Sequence, residues 1–392
     1  MEFSLGCRLP LFFTLLLITC ANTSRAAESG GLSASAQAQL GQDNNVRRTQ
    51  GALEQSDRFL LLQPKLAWSG LRSKHRLELS LDADVARFQH EDELDYSDHN
   101  AVATALLNHS HRLSSEFTLS TTDRHEAAGS NNATSFAAGE FNRYRNNRAL
   151  AEITYGTRVS TGQIALSAEQ VKRRHTNNDQ GFRDYDLNQL SAAFYYRAAP
   201  KTRLTLETSL GMFDYVNSGG FGFNASNDDR SVLVGVEWRG TAQTTGTFKA
   251  GYQEKSYDDT SLGEISGLTL ALDMLWRPTA ATEVKLGASR SANESAIINT
   301  GGFIREFLRA KLRHQFGART SLKANIGLGE EEFSFSADRT DKRYEFGVGL
   351  QRELAYRLTL ACELLFDQRN SNQNQNDFNS RMLLISISSQ IK

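Results

Sequence analysis

The order of apolar and polar residues follows a period of two from about residue 57 to the end of the chain. In 77–85, leucine, alanine and valine occupy the odd positions, while glutamate, serine and aspartate occupy the even ones. Side chains alternate between the two faces of a strand, so this segment has one apolar and one polar face. The same alternation recurs in 204–212, 268–276 and 358–366, where a helical period does not fit. The chain is therefore predicted to be all-β.

Both a soluble β-sandwich and a membrane β-barrel produce this alternation, so strand length and connections must separate them. The apparent strands run to about 12–15 residues, longer than usual in globular proteins and sufficient for a tilted membrane crossing. Short turns at 69–71, 199–201, 277–279 and 317–319 alternate with polar loops at 89–96, 124–140, 217–229 and 370–377. Short turns on one side and long loops on the other are typical of outer-membrane barrels.

Six aromatic residues each close an apparent strand just before a short turn and fall on its apolar face. They are Trp68, Tyr155, Tyr196, Trp238, Trp276 and Phe316, and they include all three tryptophans of the chain. From Tyr155 onward they recur about every 40 residues, once per hairpin. Amphipathic rings prefer the lipid headgroup level, so this set predicts an aromatic girdle at the periplasmic interface. A sandwich core would not confine aromatics to one end of every second strand.

The pattern contains about 18 candidate strands between residues 32 and 391, which fits barrel geometry. The predicted fold is a transmembrane outer-membrane β-barrel of about 18 antiparallel strands, formed by residues 27–392. An even strand count places both chain termini in the periplasm. A barrel of this size is wide enough to enclose an aqueous lumen.

Residues 1–26 are predicted to be a secretory signal peptide. Arg8 precedes the apolar run 9–18, and small residues follow, with cleavage expected after Ala26. A buried N-terminal helix is the alternative, but the run is short and adjoins a polar chain. The segment 17–20 also resembles a lipoprotein cleavage box, which leaves lipidation of Cys20 open. In either case the protein leaves the cytoplasm.

Composition and charge exclude several other classes. The net charge of −1 gives no basic surplus for nucleic acid, and 3 Cys are too few for a disulfide scaffold. The mean hydropathy is −0.46, and after the N-terminus no apolar run is long enough for a membrane-spanning helix, which excludes a helical membrane protein. We expect no enzymatic activity, because no nucleophile and base are convincingly placed together. We also expect no cofactor and no metal.

Three segments resemble the outer-membrane β-barrel porin family associated with bacterial exopolysaccharide biosynthesis and export loci. These segments are Asp43-Asn44-Asn45-Val46, the run 81–88, and Tyr96-Ser97-Asp98-His99. The resemblance implies an outer-membrane barrel that helps to export secreted polysaccharide or to assemble the surface matrix. The last strand departs from the usual insertion signal, because it ends in Ile391 and Lys392 without a terminal aromatic residue.

Polar residues expected to face the lumen are the main functional candidates. One strand carries a basic column opposite its leucines, made of Arg305, Arg309, Lys311 and Arg313. Acidic residues at inward positions include Asp82, Asp84, Glu237, Asp273 and Glu363. Facing columns of opposite charge would set a transverse field that favours polar or anionic solutes. Alternatively, the charges pair across the lumen and only stiffen the wall.

The favoured function is participation in exopolysaccharide export across the outer membrane of a Gram-negative bacterium. The alternatives are a general diffusion porin for small polar solutes and a non-conducting barrel that anchors an export complex. The expected partners are outer-membrane lipid, lipopolysaccharide, the secreted polysaccharide and periplasmic export components, with no nucleic acid.

Overall fold

The computed structural model describes residues 30–130, 140–217, 222, 224–240, 243–295, 301–334 and 338–391. Within these ranges the chain forms 18 strands of 12 to 16 residues. They are β1 Gly31–Asp43, β2 Asp57–Arg72, β3 His75–Phe88, β4 Tyr96–Asn108, β5 Leu113–His125, β6 Arg143–Tyr155, β7 Gly162–His175, β8 Tyr185–Ala199, β9 Thr202–Tyr215, β10 Asn227–Trp238, β11 Thr244–Tyr257, β12 Glu264–Thr279, β13 Thr282–Glu294, β14 Gly302–Phe316, β15 Thr320–Phe333, β16 Thr340–Ala355, β17 Leu358–Ser371 and β18 Phe378–Ile391.

Each strand pairs antiparallel with the next, and β1 pairs with both β2 and β18. Leu40, for example, lies opposite Leu60 on one side and opposite Ile385 on the other. The sheet therefore closes on itself, and the predicted 18-stranded barrel is confirmed. Closure pairs both edges of the sheet, which leaves no strand edge free for aggregation.

The connections alternate in length as predicted. Turns of two to six residues join the strands at one end, and connections of six to seventeen residues join them at the other. We call these ends the turn end and the loop end. Five short 3₁₀ helices lie in described connections of the loop end, at Gly51–Leu53, Asp92–Leu94, Gln180–Arg183, Thr260–Leu262 and Asn374–Asn376. In the described chain, no helix is long and apolar enough to cross a membrane.

Several predicted boundaries are wrong. The turns expected at 69–71 and 277–279 lie inside strands, because β2 continues to Arg72 and β12 to Thr279. The loop expected at 217–229 ends earlier, because β10 begins at Asn227. Asp229 lies in β10 and forms an ion pair with the buried Lys255 of the neighbouring β11, at 3.2 Å. An aspartate usually favours a loop, but this partner stabilises it inside the strand. The predicted signal peptide 1–26 and Cys20 lie outside the described residues.

The six aromatic residues of the predicted girdle lie at the turn end of β2, β6, β8, β10, β12 and β14. Most are well exposed, from 39% for Trp68 to 57% for Tyr155. The ring of Trp238 covers Gly246 of β11, which lies directly opposite it. Tyr356, in the turn after β16, continues the 40-residue spacing and is absent from the predicted set. Contact of this aromatic girdle with the membrane stays a prediction.

Among the described residues, the buried apolar clusters lie at the loop end. Three small buried clusters lie there, around Leu94, around Tyr215 and around Ile265. The first joins Val46, Leu94 and Phe141, which belong to three different connections. Along the described strands, most exposed large apolar side chains lie on the outer face of the barrel, where an outer-membrane barrel meets lipid.

Candidate functional site

Contacts that skip a strand identify the inner face of the wall. Lys249 of β11 forms an ion pair of 2.7 Å with Glu207 of β9, across the intervening β10. Likewise, Arg203 of β9 donates to Gln163 of β7 over 2.6 Å, across β8. Side chains of next-nearest strands converge only on the concave side of a closed sheet. The face opposite the exposed leucines is therefore the lumenal face.

The four residues of the predicted basic column lie on β14, opposite the exposed Leu308. They share the lumenal face with Glu345, because Arg309, Gly327 and Glu345 lie opposite one another on β14, β15 and β16. Lys323 of β15 lies directly opposite Arg313 and extends the basic surface to a second strand. Lys323 lies between Leu322 and Ala324, so the alternation alone indicates that it faces the lumen. Only the strand register shows that it stands beside Arg313.

The two ends of the basic column differ in their partners. Arg305 forms an ion pair with Glu331 at 3.3 Å, and it shares the ring of Phe307 with Arg309. Towards the turn end, the column continues with Arg309, Lys311, Arg313 and Lys323. In the described chain, no carboxylate oxygen lies within 4.0 Å of the side-chain nitrogens of these four residues. These four line a recess of about 570 Å³ together with Lys285, Asn325 and the carboxylates of Glu283 and Glu345, so cations outnumber carboxylates there. We call these four residues the unpaired basic surface.

Phe307 occupies the space that two glycines leave on the neighbouring strand. A side chain at Gly327 or Gly329 of β15 would approach the Phe307 ring to 3.1 or 3.0 Å. The ring therefore lies flat along the wall and gives both flanking arginines an aromatic contact, at 5.1 and 4.9 Å. Such contacts hold the guanidinium groups while leaving their donors available.

The predicted acidic residues do not form one surface facing the basic column. Glu237 of β10 accepts from Arg203 and from Arg158, so it belongs to a local ion-pair cluster. Asp82 and Asp84 of β3 accept from Asn100 at 3.1 Å and from Gln63 at 2.8 Å. Asp273 lies on β12 and Glu363 on β17, and neither has an ion pair in the described chain.

A buried ion pair at the loop end was missed by the sequence analysis. Glu126, after β5, accepts from both terminal nitrogens of Arg183, at 2.9 and 2.5 Å, and both side chains are almost fully buried. Burial raises the pKa of Glu126, but His175, Arg183 and Asn142 lower it by more, to about 2. The pair joins the connection after β5 to the connection after β7, so a single sequence pattern could not indicate it.

The same connection after β5 reaches across the barrel. The carbonyl of Gly129 accepts from Arg369 of β17 at 3.3 Å, and Gly129 also packs beside Phe378 of β18 and Arg48. Its φ of 72° and the 2.9 Å that a Cβ would leave to Phe378 both require glycine here. The connection therefore narrows the lumen at the loop end.

Residues of the segments that resemble the porin family form hydrogen bonds that link neighbouring strands. Asp43 accepts from Ser380 of β18 at 2.8 Å and from Arg48 at 2.6 Å, across the closing seam of β1 and β18. Asn44 accepts from the Arg381 backbone, and Asn45 donates to the Asn379 carbonyl. Elsewhere, Asp98 accepts from the backbone and ring of His125, whereas His99 is exposed on the outer face.

Comparisons with known proteins agree with this architecture. The model of a family described as "Putative beta-barrel porin 2" matches residues 32–391. No curated protein sequence matches the chain. The fold is similar to OccK9 (OpdG) of Pseudomonas aeruginosa, with 11% identity, a TM-score of 0.53 and alignment over 93% of this chain and 99% of that one.

Two further Pseudomonas aeruginosa structures are similar to this chain, and both hold a small molecule. OpdK with vanillate has 12% identity, a TM-score of 0.52 and alignment over 92% of this chain and 99% of that one. OccK2 (OpdF) in complex with glucuronate has 12% identity, a TM-score of 0.51 and alignment over 93% and 99%. At these identities the likeness concerns the fold.

Proposed function

The chain belongs to the family described as putative beta-barrel porin 2, and from this premise we propose that it is an outer-membrane diffusion channel for small polar solutes, with a preference for anions. The observation that carries the proposal is the unpaired basic surface. Fixed positive charge on a lumen wall attracts anions and repels cations. A purely stiffening role fits the paired groups such as Glu237, but it does not account for cations without a partner in the described chain.

Two similar porins lend support from their ligands. One is described with vanillate and the other with glucuronate, and both molecules are organic carboxylates. Solutes of this class carry the charge that the unpaired basic surface would attract. Asn325 adds an uncharged donor and acceptor in the same recess.

The outer-membrane location follows from the porin family and the barrel fold. The export signal and the orientation of the barrel in the membrane are part of the proposal. Residues 1–26 would direct export as a cleaved signal peptide, and the aromatic girdle would meet lipid at the periplasmic side. Lipopolysaccharide would surround the loop end.

The test is the ion selectivity of the purified full chain in planar lipid bilayers under a salt gradient. We expect the wild-type reversal potential to indicate anion preference. Arg309→Glu with Arg313→Glu should move it towards cation preference, because two fixed cations become anions. Arg352→Glu is the matched control, since Arg352 lies on the outer face of β16 and has no ion pair in the described chain.

Two results would contradict the proposal. A folded wild-type barrel without conductance would favour the anchoring role instead. Cation preference in the wild type, or the same shift in the Arg352 control as in the double variant, would remove the role of the unpaired basic surface.

Export of exopolysaccharide is the second candidate function. Its support is the resemblance of residues 43–99, together with the basic column, which could contact acidic sugars in transit. An in-frame deletion strain with a complemented control tests it through secreted and cell-retained polysaccharide. Loss of the secreted pool with retention inside the cell would support export, and normal secretion would exclude it.

A further inference from the structure

One part of the lumen wall carries no charge over most of its length. On β1 and β18, the lumenal positions towards the turn end hold serine and glutamine where other strands hold arginine, lysine or carboxylates. We call this the serine–glutamine wall, and it consists of Ser33, Ser35, Gln37, Gln39, Ser386, Ser388 and Gln390. It lies at the closing seam of the barrel, three strands from the basic surface of β15.

The register arranges these side chains in cross-strand rows. Gln37 lies opposite Ser388 of β18 and opposite Gln63 of β2. In the next row, Ser35 lies opposite Gln390 and Lys65. Side chains that face each other in this way are about 5 Å apart at their Cβ atoms. The rows therefore form a continuous surface of alternating donors and acceptors.

Most of these polar groups have no protein partner. Within the described ranges, the side chains of Ser35, Gln37, Ser388 and Gln390 make no hydrogen bond to the protein. An amide can donate two hydrogen bonds and accept two, and a hydroxyl can do both. These groups are therefore available to a solute, in contrast to Gln63, which is held by Asp84 at 2.8 Å.

The available groups line a recess of about 730 Å³. Its sides carry the carboxylates of Asp82, Asp84 and Glu353 together with the cations Lys65 and Arg357. Tyr356 lies at its turn-end margin, with the Arg357 guanidinium over its ring at 4.7 Å. Three carboxylates beside two cations give no surplus of positive charge to attract anions, and groups of both kinds can form hydrogen bonds with hydroxyls. This combination differs from the recess at the unpaired basic surface, where the chemistry suits carboxylates.

We propose that the serine–glutamine wall is a binding subsite for uncharged polyhydroxylated solutes, such as sugars and polyols. Such solutes present hydroxyl groups that donate and accept, which matches unpartnered amides and hydroxyls in rows. The proposal rests on the proposed channel only for access of the solute to the lumen. The subsite acts independently of Arg309 and Arg313.

The experiment is calorimetric titration of the full chain in detergent with maltohexaose, an uncharged linear oligosaccharide. We expect a dissociation constant of about 1–10 mM, which is typical of a few exposed hydrogen bonds. Gln37→Ala and Gln390→Ala should each weaken binding about fivefold, because each removes one amide contact. Gln37→Glu keeps the shape and removes the donors, so it should weaken binding even if truncation disturbs folding.

Gln42→Ala provides the matched control, because Gln42 lies on β1 with its side chain on the outer face. It should leave the affinity unchanged, as should Arg309→Glu. Absence of maltohexaose binding to the folded wild type would overturn the inference, and so would equal weakening in the Gln42 control. Because binding is measured without ion flow, a barrel that binds the sugar but does not conduct would contradict only the proposed function.

Discussion

At the scale of single residues, Glu126 and Arg183 form a buried ion pair between two connections of the loop end. Both groups lose their hydration, and each is compensated by the other, with Asn142 donating a further hydrogen bond to Glu126. Removing one partner of such a pair leaves an uncompensated buried charge, which costs more than the pair itself contributes.

We predict that Glu126→Gln lowers the free energy of unfolding by about 3 kcal/mol, because Arg183 stays buried without a counter-charge. Urea unfolding in lipid vesicles measures the change. Glu330→Gln is the control, since Glu330 and Lys342 form an exposed pair at 3.9 Å whose loss should cost about 0.5 kcal/mol or less. Equal losses in the two variants would contradict the buried-pair argument.

The same residue predicts a pH dependence. The pKa of Glu126 is lowered from its ordinary value of 4.5 to about 2, so its stabilising contribution is present above about pH 4.5 and is lost as the pH falls towards 2. The stability difference between wild type and Glu126→Gln should stay constant from pH 7 to pH 5 and shrink below that. A difference that shrinks already between pH 7 and pH 5 would assign the effect to another group.

At the scale of elements, the β12–β13 pair is incomplete. Its ladder ends at Leu270 and Arg290, although β13 continues to pair with β14 up to Glu294. Beyond this point, the side chain of Gln253 on β11 bonds the β13 backbone in place of β12. Its amide oxygen accepts from the Ala292 N–H at 3.0 Å, and its amide nitrogen donates to the Ala292 carbonyl at 3.4 Å. A side chain thereby satisfies backbone groups that a strand would otherwise bond.

We therefore expect Gln253→Leu to leave the Ala292 backbone unsatisfied, at a cost of about 1–3 kcal/mol. Hydrogen exchange by mass spectrometry should then accelerate in 288–294 and remain unchanged in 202–215. Gln368→Leu is the control, because Gln368 lies on the outer face and bonds only the exposed Asn370. Unchanged exchange in 288–294 would mean that Gln253 does not hold this edge.

At the scale of the whole molecule, the unpaired basic surface should make ion selectivity depend on salt. The Debye length falls from about 10 Å at 0.1 M to about 3 Å at 1 M, so fixed charges reach less of the lumen at high salt. We predict that the anion preference in bilayers decreases over this range of KCl. In the double variant Arg309→Glu with Arg313→Glu, the preference is for cations, and it should decrease in the same way as the KCl concentration rises. A preference independent of salt would point to pore size as its origin.

Much of the architecture was accessible from local patterns. The alternation of 77–85 indicated which face of β3 is apolar, and the spacing of the short turns indicated the hairpins. Asp229 was misplaced because its partner, Lys255, lies on the next strand. Lys323 was missed because its importance depends on standing opposite Arg313, which no single strand reveals.

The sequence by itself determined the all-β class, the number of strands and the face that each strand turns outward, because side-chain period and turn residues are local properties. Only the tertiary structure decided which lumenal charges are paired, that Gly129 reaches Phe378 across the barrel, and that Gln37 stands between Ser388 and Gln63. These relations depend on register and on closure of the sheet, which join residues that lie far apart in the chain.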